Sequence, residues 1–202
     1  MSKKVPLIHI FFIFIAILIK CYHVTGSNLI WNMFLALLAI DFAYFTYYLN
    51  LRIGKLLLSL LWLFFFPNTF YMLTDIVHIH FAGSILTDHS SMIYYILYMS
   101  SILFGVLCGI ESLKVIFVTY QIKNYYGRLI LIGILSFVSS FAIHIGRYAR
   151  LNSWDILTKP RIVVHEILEV VSWNALTFIL GFTFLQFLCL AYLENEKLIN
   201  KH

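Results

Sequence analysis

Six long apolar stretches constrain the fold of this 202-residue chain more than any motif does. A membrane-spanning helix needs about 20 mostly apolar residues, and each stretch approaches or exceeds that length. The chain is 62% hydrophobic and 11% charged, whereas soluble domains have about 25% charged residues. We therefore predict an all-α fold, a polytopic transmembrane helix bundle forming one integral membrane domain over residues 1–202. The predicted spans are residues 5–22, 28–49, 56–73, 92–118, 129–146 and 172–193.

The first span and the composition narrow the class of protein further. The basic start and apolar core of this span are also typical of a signal peptide, but no small-x-small cleavage site follows, so we predict a retained helix.

The three cysteines lie far apart, which favours neither a disulfide framework nor a zinc knuckle. Positive charge is dispersed and forms no basic stripe with interleaved aromatics. The expected partner is therefore the lipid bilayer and not a nucleic acid.

Lysines and arginines predict the orientation, because they are enriched in cytoplasmic loops. Six spans place both termini on the same side of the membrane. That side would carry nine of the 14 lysines and arginines, and the opposite side the other five. We therefore predict that both termini are cytoplasmic. The five on the outer side are Lys20, Arg147, Arg150, Lys159 and Arg161.

The stretch FFFPNTFYMLTDIVHIH, residues 64–80, begins as an apolar span and ends in titratable groups. Read as an α-helix, it has Asn68, Tyr71, Asp75 and His78 on one face, because they are three or four residues apart. Pro67 removes a backbone donor and predicts a kink beneath this face. Polar residues inside spans are usually functional. A structural kink, with Asn68 bonding a neighbouring helix, explains Pro67 and Asn68 equally well.

A second polar segment begins at the outer end of the fifth predicted span and covers residues 144–169, HIGRYARLNSWDILTKPRIVVHEILE. Arg147 and Arg150 are three residues apart on a helical face, and their forked donors suit phosphate or carboxylate. Contact with lipid phosphates, or with Asp75 and Asp155, is at least as good an explanation. Residues 159–171 are amphipathic and predict a short interfacial helix before the last span.

The spacing of histidines and acids supports a further hypothesis, a site for a divalent metal. Asp75 and His78 lie three residues apart, and His165 and Glu169 lie four apart, so each pair could hold one ion. Together they form a candidate two-histidine, two-carboxylate site. The alternative is a solvated histidine–glutamate pair on an interfacial helix, and the sequence lacks the HExxH motif.

Three ordered blocks resemble the signature of a bacterial family of multi-pass membrane proteins known only as a domain of unknown function. They are WNMFLAL (31–37), FFPNTFYMLTDIVHI (65–79) and GRYARLNSWDILTKP (146–160). The resemblance implies a protein of the bacterial cytoplasmic membrane, and no established reaction, cofactor or catalytic residue. Its blocks meet at the outer membrane face in the predicted topology. The ligand-binding candidates there are Asn32, Asn68, Tyr71, Arg147, Arg150, Asn152, Trp154 and Asp155.

Two acids lie in the inner halves of predicted spans, away from this cluster. Glu111 has Lys114 three residues further on, which predicts a local ion pair. Asp41 has no local partner, and a small transporter would use such an acid as a proton or cation relay. The chain shows no internal repeat of the kind many transporters have.

Small residues predict close helix packing, either inside one chain or between copies in a homo-oligomer. They occur four apart in the fourth span, and the fifth span has a similar narrow face. Membrane-protein partners are consistent with the same surfaces. The residues in the fourth span are Ser101, Gly105 and Gly109, and those in the fifth are Gly133, Ser136 and Ser140.

These observations favour two classes of function. The first is a site at the outer face for an anionic lipid or an envelope-related ligand, with Asp75 and His78 as catalytic acid–base residues or metal ligands. The second is a non-catalytic accessory or assembly protein, in which ion pairs such as Asp75–Arg147 clamp the spans together. The small transporter using Asp41 is a third alternative. The residues define no reaction, so the sequence leaves open whether the chain is an enzyme.

Overall fold

A computed structural model describes residues 4–24, 28–81, 88–148, 158, 160–169 and 173–194. These residues form seven α-helices and one long 3₁₀ segment, Met72–Phe81, and no strand occurs among them. The all-α prediction is therefore confirmed. The helices are α1 (Lys4–Cys21), α2 (Leu29–Tyr48), α3 (Arg52–Tyr71), α4 (His89–Thr119), α5 (Tyr125–Tyr148), α6 (Pro160–Glu169) and α7 (Trp173–Glu194).

Six of the helices in the described part of the chain are long and apolar enough to cross a membrane. They correspond in order to the six predicted spans. The short helix predicted at residues 159–171 is also present, as α6. A bundle of this kind keeps every backbone polar group inside its own helices, as a hydrocarbon environment requires.

The chain divides into two compact units, Met1–Ser112 and Leu113–His202. The first contains α1, α2, α3 and the 3₁₀ segment, together with α4 as far as Ser112. The second contains the end of α4, with α5, α6 and α7. That both belong to a single membrane domain stays a prediction.

In the first unit, α2 and α3 pack side by side, and α2 supplies much of the core. Its buried residues Met33, Ala36, Ile40 and Ala43 recur every three or four positions and form one face. In contrast, α1 is apolar all round, and Ile19 is its one buried residue among those described. An apolar helix with so little buried surface is suited to contact with lipid.

The α3 helix changes to 3₁₀ geometry after Tyr71, which corrects the prediction of one continuous α-helical face. Side chains near the change bond to the carbonyl three residues back: Asn68 donates to Phe65 and Thr74 to Tyr71. Such bonds compete with the α-helical pattern. Because 3₁₀ geometry has three residues per turn, positions 72, 75 and 78 now share a face, and Tyr71 does not.

The predicted small-residue face of α4 packs against α3 inside the first unit. A Cβ added at Gly105 would lie 2.7 Å from Met72 Sδ and 2.8 Å from the carbonyl oxygen of Thr69. At Gly109 it would lie 2.5 Å from Thr69 Oγ1. Glycine thus allows the two helices to approach closely, and Trp62 Nε1 donates to Ser112 Oγ (3.1 Å) further along the same contact.

In the second unit, α5 packs against α7 through polar and aromatic groups. Gln186 Nε2 donates to Ser140 Oγ at 2.7 Å, and both side chains are buried. The His144 ring packs against Phe178 at 5.4 Å between centroids. His144, the first residue of the second polar segment, is therefore a buried packing residue.

The helices α1 and α4 each end in a hydrogen-bonded turn of the same type, and in each turn a residue other than glycine has a positive φ. After α1, the His23 and Val24 amides donate to the Lys20 and Ile19 carbonyls, and φ of His23 is 49°. After α4, Gln121 has φ of 53° in an equivalent turn. This Schellman arrangement normally places glycine at the left-handed position, so a histidine and a glutamine there are strained.

Candidate functional site

The predicted outer cluster contains one contact that joins two of the sequence blocks. Asn32, in the first turn of α2, donates from Nδ2 to Asp75 Oδ2 at 3.0 Å. Asp75 lies in the 3₁₀ segment, is only 2% exposed, and follows Thr74, which is also buried. The bond therefore ties the start of α2 to the segment after α3. A hydrogen bond to a buried carboxylate contributes about 1.5–3 kcal/mol.

Two further candidates, Asn68 and Tyr71, belong to the last turn of α3, seven and four residues before Asp75. Both are half-buried. The Asn68 amide donates to the Phe65 carbonyl at 3.2 Å, on its own helix. This bond supplies a partner to a carbonyl near the turn that Pro67 disturbs. This bond is local, and the helix-to-helix bond that the sequence suggested for Asn68 stays a prediction.

The remaining candidates are described only in part. Arg147 is half-buried at the end of α5, in the second unit. His165 is exposed on α6, also in the second unit. His78 and Glu169 belong to described helical segments, but their side chains lie outside the described residues. Four candidates lie wholly outside them: Arg150, Asn152, Trp154 and Asp155.

The metal hypothesis needs side chains that this description does not include. Among the described residues, no group of three or more histidine, cysteine or acidic side chains could hold a metal. The proposed set of Asp75, His78, His165 and Glu169 includes two side chains that lie outside the described residues, those of His78 and Glu169. It stays a prediction.

Sequence reasoning missed a second polar cluster inside the first unit. Lys4 Nζ lies 2.9 Å from Glu111 Oε1, and the Tyr44 hydroxyl donates to the same oxygen at 3.0 Å. Three helices, α1, α2 and α4, therefore meet at one carboxylate. The sequence had predicted a local pair with Lys114. The structure gives Glu111 partners that are 107 and 67 residues away, which the sequence did not indicate, and the pair with Lys114 stays a prediction.

Asp41 also has a partner that its local sequence did not reveal. His9 Nε2 on α1 lies 3.4 Å from Asp41 Oδ2 on α2. The other ring nitrogen, Nδ1, is 2.9 Å from the Val5 carbonyl on the same helix. An imidazole and a carboxyl group therefore meet between two helices that are long and apolar enough to cross a membrane. A histidine within the apolar helix α1 was the sequence signal for this contact.

The helices and these contacts define a multi-pass helical membrane protein that carries ionisable pairs between its spans. The chain belongs to the family described as a protein of unknown function, DUF1361, whose model matches residues 31–189. The resemblance to such a family is thereby confirmed, and α1 lies outside the matched range. No curated protein and no solved structure matches the chain.

Proposed function

We propose that this protein binds an anionic lipid or envelope-related ligand at the outer face of a bacterial cytoplasmic membrane, with both termini in the cytoplasm. The observation that carries the proposal is the Asn32–Asp75 hydrogen bond. It links two sequence blocks that are 43 residues apart and fixes a buried acid at a helix end. Ionisable groups held in this way within membrane proteins are usually functional.

The burial of Asp75 assigns it a positioning role in this proposal. A carboxylate that is 2% exposed holds the start of α2 and the 3₁₀ segment in register and does not itself meet the ligand. The anion is held by Arg147 and Arg150, because a guanidinium can bind phosphate or carboxylate through two parallel donors. Asn152, Trp154 and Asp155 are the further candidates for this anion site. Asn68 and Tyr71 are candidates for a ligand contact within the first unit.

His78 gives the proposal two chemical options, acid–base catalysis in which Asp75 acts only through His78, or metal binding. Positions 75 and 78 share one face of the 3₁₀ segment, since it has three residues per turn. Elemental analysis of the purified protein tests the metal option. A stoichiometric metal that disappears in His78→Ala and Glu169→Ala supports it, and protein that carries no metal rejects it.

A lipid measurement tests the ligand proposal. Mass spectrometry of lipids that co-purify with the protein should find an anionic species that is reduced at least about fivefold in Arg147→Gln, since one cation at a membrane surface contributes about 1 kcal/mol. Arg52→Gln, which alters an exposed arginine at the start of α3, is the matched control. Equal lipid content in the two variants and the wild type would overturn the proposal.

The same hydrogen bond also supports the alternative of a non-catalytic accessory or assembly protein with a structural clamp. In that case Asn32 and Asp75 stabilise the fold, and His78 has no role in activity. Loss of cellular function in His78→Ala, with unchanged thermal stability, favours the ligand site. Retained function in both His78→Ala and Asp75→Ala favours the clamp.

The His9–Asp41 pair supports a small proton-coupled transporter as a second candidate. The pair places an imidazole and a carboxyl group, two groups that can exchange a proton, between two spanning helices. Lys4 and Tyr44 contact Glu111, the second acid within the predicted spans. Proton flux into proteoliposomes, driven by a potential, should be lost in Asp41→Asn and kept in Arg52→Gln. The absence of flux in the wild-type protein would eliminate this candidate.

A further inference from the structure

We propose that a cleft between the end of α1 and the start of α2 binds an anionic phospholipid. The cleft has a volume of about 740 Å³. Its lining combines aromatic side chains with a polar rim that carries positive charge. The residues that define it are Phe12, Lys20, His23, Asn28, Trp31 and Phe34. This site lies within the first unit and does not depend on the ligand proposed above.

The apolar wall of the cleft is a row of aromatic rings. Trp31 and Phe34 lie 5.6 Å apart between ring centroids, and Phe34 and Phe12 lie 6.5 Å apart. Trp31 is 48% exposed and Phe34 is 37% exposed, although both are large apolar side chains. Aromatic residues near the ends of membrane-spanning helices are suited to the boundary between acyl chains and headgroups. Such a wall can accommodate an acyl chain.

The rim of the cleft has the charge that an anionic headgroup needs. Lys20 is exposed in the last turn of α1, and its flexible stem can raise the ammonium group to the headgroup level. His23 follows three residues later and is also exposed. Its imidazole N–H can donate to a phosphate oxygen. A zwitterionic lipid would gain less, because its headgroup has no net negative charge.

Two backbone features support the same ligand. His23 occupies the left-handed region, with φ of 49°, where glycine is usual, and strained residues of this kind are concentrated at ligand sites. Asn28, the N-cap residue of α2, makes no capping bond with its side chain. The positive end of the α2 dipole therefore adds to the attraction for a phosphate at this end of the unit.

Fluorescence quenching tests the cleft directly, because Trp31 is part of its wall. The full-length protein is reconstituted in vesicles of phosphatidylcholine that contain a small fraction of brominated phosphatidylglycerol or, separately, brominated phosphatidylcholine. The contribution of Trp31 is the difference between the wild type and Trp31→Phe. We expect the quenching of Trp31 to give an apparent preference for the anionic lipid of at least about fivefold, the effect of one lysine charge at a membrane surface.

Substitutions at the rim should remove that preference and leave the fold intact. Lys20→Gln combined with His23→Gln should make quenching by the two brominated lipids equal, whereas Lys123→Gln, in an exposed loop, should not change it. His23→Gly separates charge from strain: it should reduce the preference without loss of thermal stability. Any of three results would overturn the proposal. The two lipids could quench Trp31 equally in the wild type, or the double variant could keep the preference. A second copy of the protein could also protect Trp31 from both lipids.

The proposed lipid site in the cleft and the proposed ligand site at Arg147 can be tested independently. Quenching of Trp31 reports lipid near α1 and α2, and Arg147→Gln should not change it. Conversely, the co-purified lipid lost in Arg147→Gln should persist in the Lys20 and His23 variants. A preference that disappears in both sets of variants would show that a single site explains both results, and would overturn the separate cleft.

Discussion

Asn32 and Asp75 lie 43 residues apart in sequence, and their side chains meet at 3.0 Å. One belongs to the first turn of α2 and the other to the 3₁₀ segment after α3. Because Asp75 is buried, the bond is protected from competition by water. The contact therefore couples two chain segments and helps to fix their relative register.

The first prediction concerns this contact. Asn32→Ala should lower the free energy of unfolding by about 1–3 kcal/mol, because it removes a donor from a buried carboxylate. Asp75→Asn should cost less, since it keeps an acceptor oxygen at the same position. Thermal unfolding in detergent, followed by circular dichroism, measures both changes.

A double-mutant cycle then isolates the pair. If the two side chains interact, Asn32→Ala combined with Asp75→Ala should cost less than the sum of the single variants, with a coupling of about 0.5–3 kcal/mol. Strict additivity would show that the contact contributes nothing to stability. Ser59→Ala, which removes a bond from Ser59 Oγ to the Lys55 carbonyl within α3, is a suitable reference.

Helix number and position were predictable because the length of an apolar stretch is a property of the sequence itself. The partners of Glu111 and Asp41 were not, since contacts between helices depend on how each helix is rotated about its axis. The sequence pointed to the local Lys114 as a partner of Glu111 and did not indicate Lys4, which lies 2.9 Å from Glu111 Oε1. Likewise, the change to 3₁₀ geometry after Tyr71 involves side-chain bonds that periodicity does not reveal.

The second prediction tests the close approach of α3 and α4. Gly105→Ala should destabilise the protein by about 1–3 kcal/mol, because its Cβ would meet the Thr69 carbonyl and the Met72 side chain. Gly181→Ala is the matched control. No atom lies within 4 Å of its added Cβ, so it should be neutral or stabilise by up to about 1 kcal/mol. Equal melting temperatures for the two variants would contradict the packing described here.

The third prediction concerns the turn after α4. Gln121→Gly should stabilise the protein by about 0.5–1 kcal/mol, since glycine adopts the left-handed conformation without a steric penalty. Gln121→Ala should give no such gain, because alanine retains a Cβ. Chemical or thermal unfolding of the wild type and the two variants measures these differences in stability. A loss of stability in Gln121→Gly would show that the glutamine side chain itself stabilises the protein.

The fourth prediction is a pH dependence at the start of α4. Asp88 Oδ2 accepts a bond from the Ser91 amide at 2.7 Å, and hydrogen bonds from Ser91 lower the pKa of the exposed Asp88 carboxyl. A lowered pKa in the folded state means that this group stabilises the helix above the ordinary pKa of aspartate, about 3.9. The stabilisation is lost as the pH falls through the folded-state pKa.

Hydrogen exchange can follow that change at the first turn of α4. At neutral pH, Asp88→Ala should increase amide exchange near Ser91 relative to the wild type. The difference between the two proteins should narrow as the pH falls through the lowered folded-state pKa of Asp88, where the wild-type carboxyl also becomes neutral. A difference that does not depend on pH would show that the charge of Asp88 has no part in capping.

The fifth prediction concerns the His9–Asp41 pair, which connects the exposed helix α1 to α2. His9→Leu and Asp41→Leu should each reduce stability, because each leaves a polar partner within an apolar bundle. The double variant should recover much of that loss, since replacing both members of an ion pair by apolar residues is often neutral or favourable. Thermal unfolding of the four proteins gives the comparison. If the double variant loses as much as both single variants together, the two residues act independently, and the His9–Asp41 contact does not stabilise the protein.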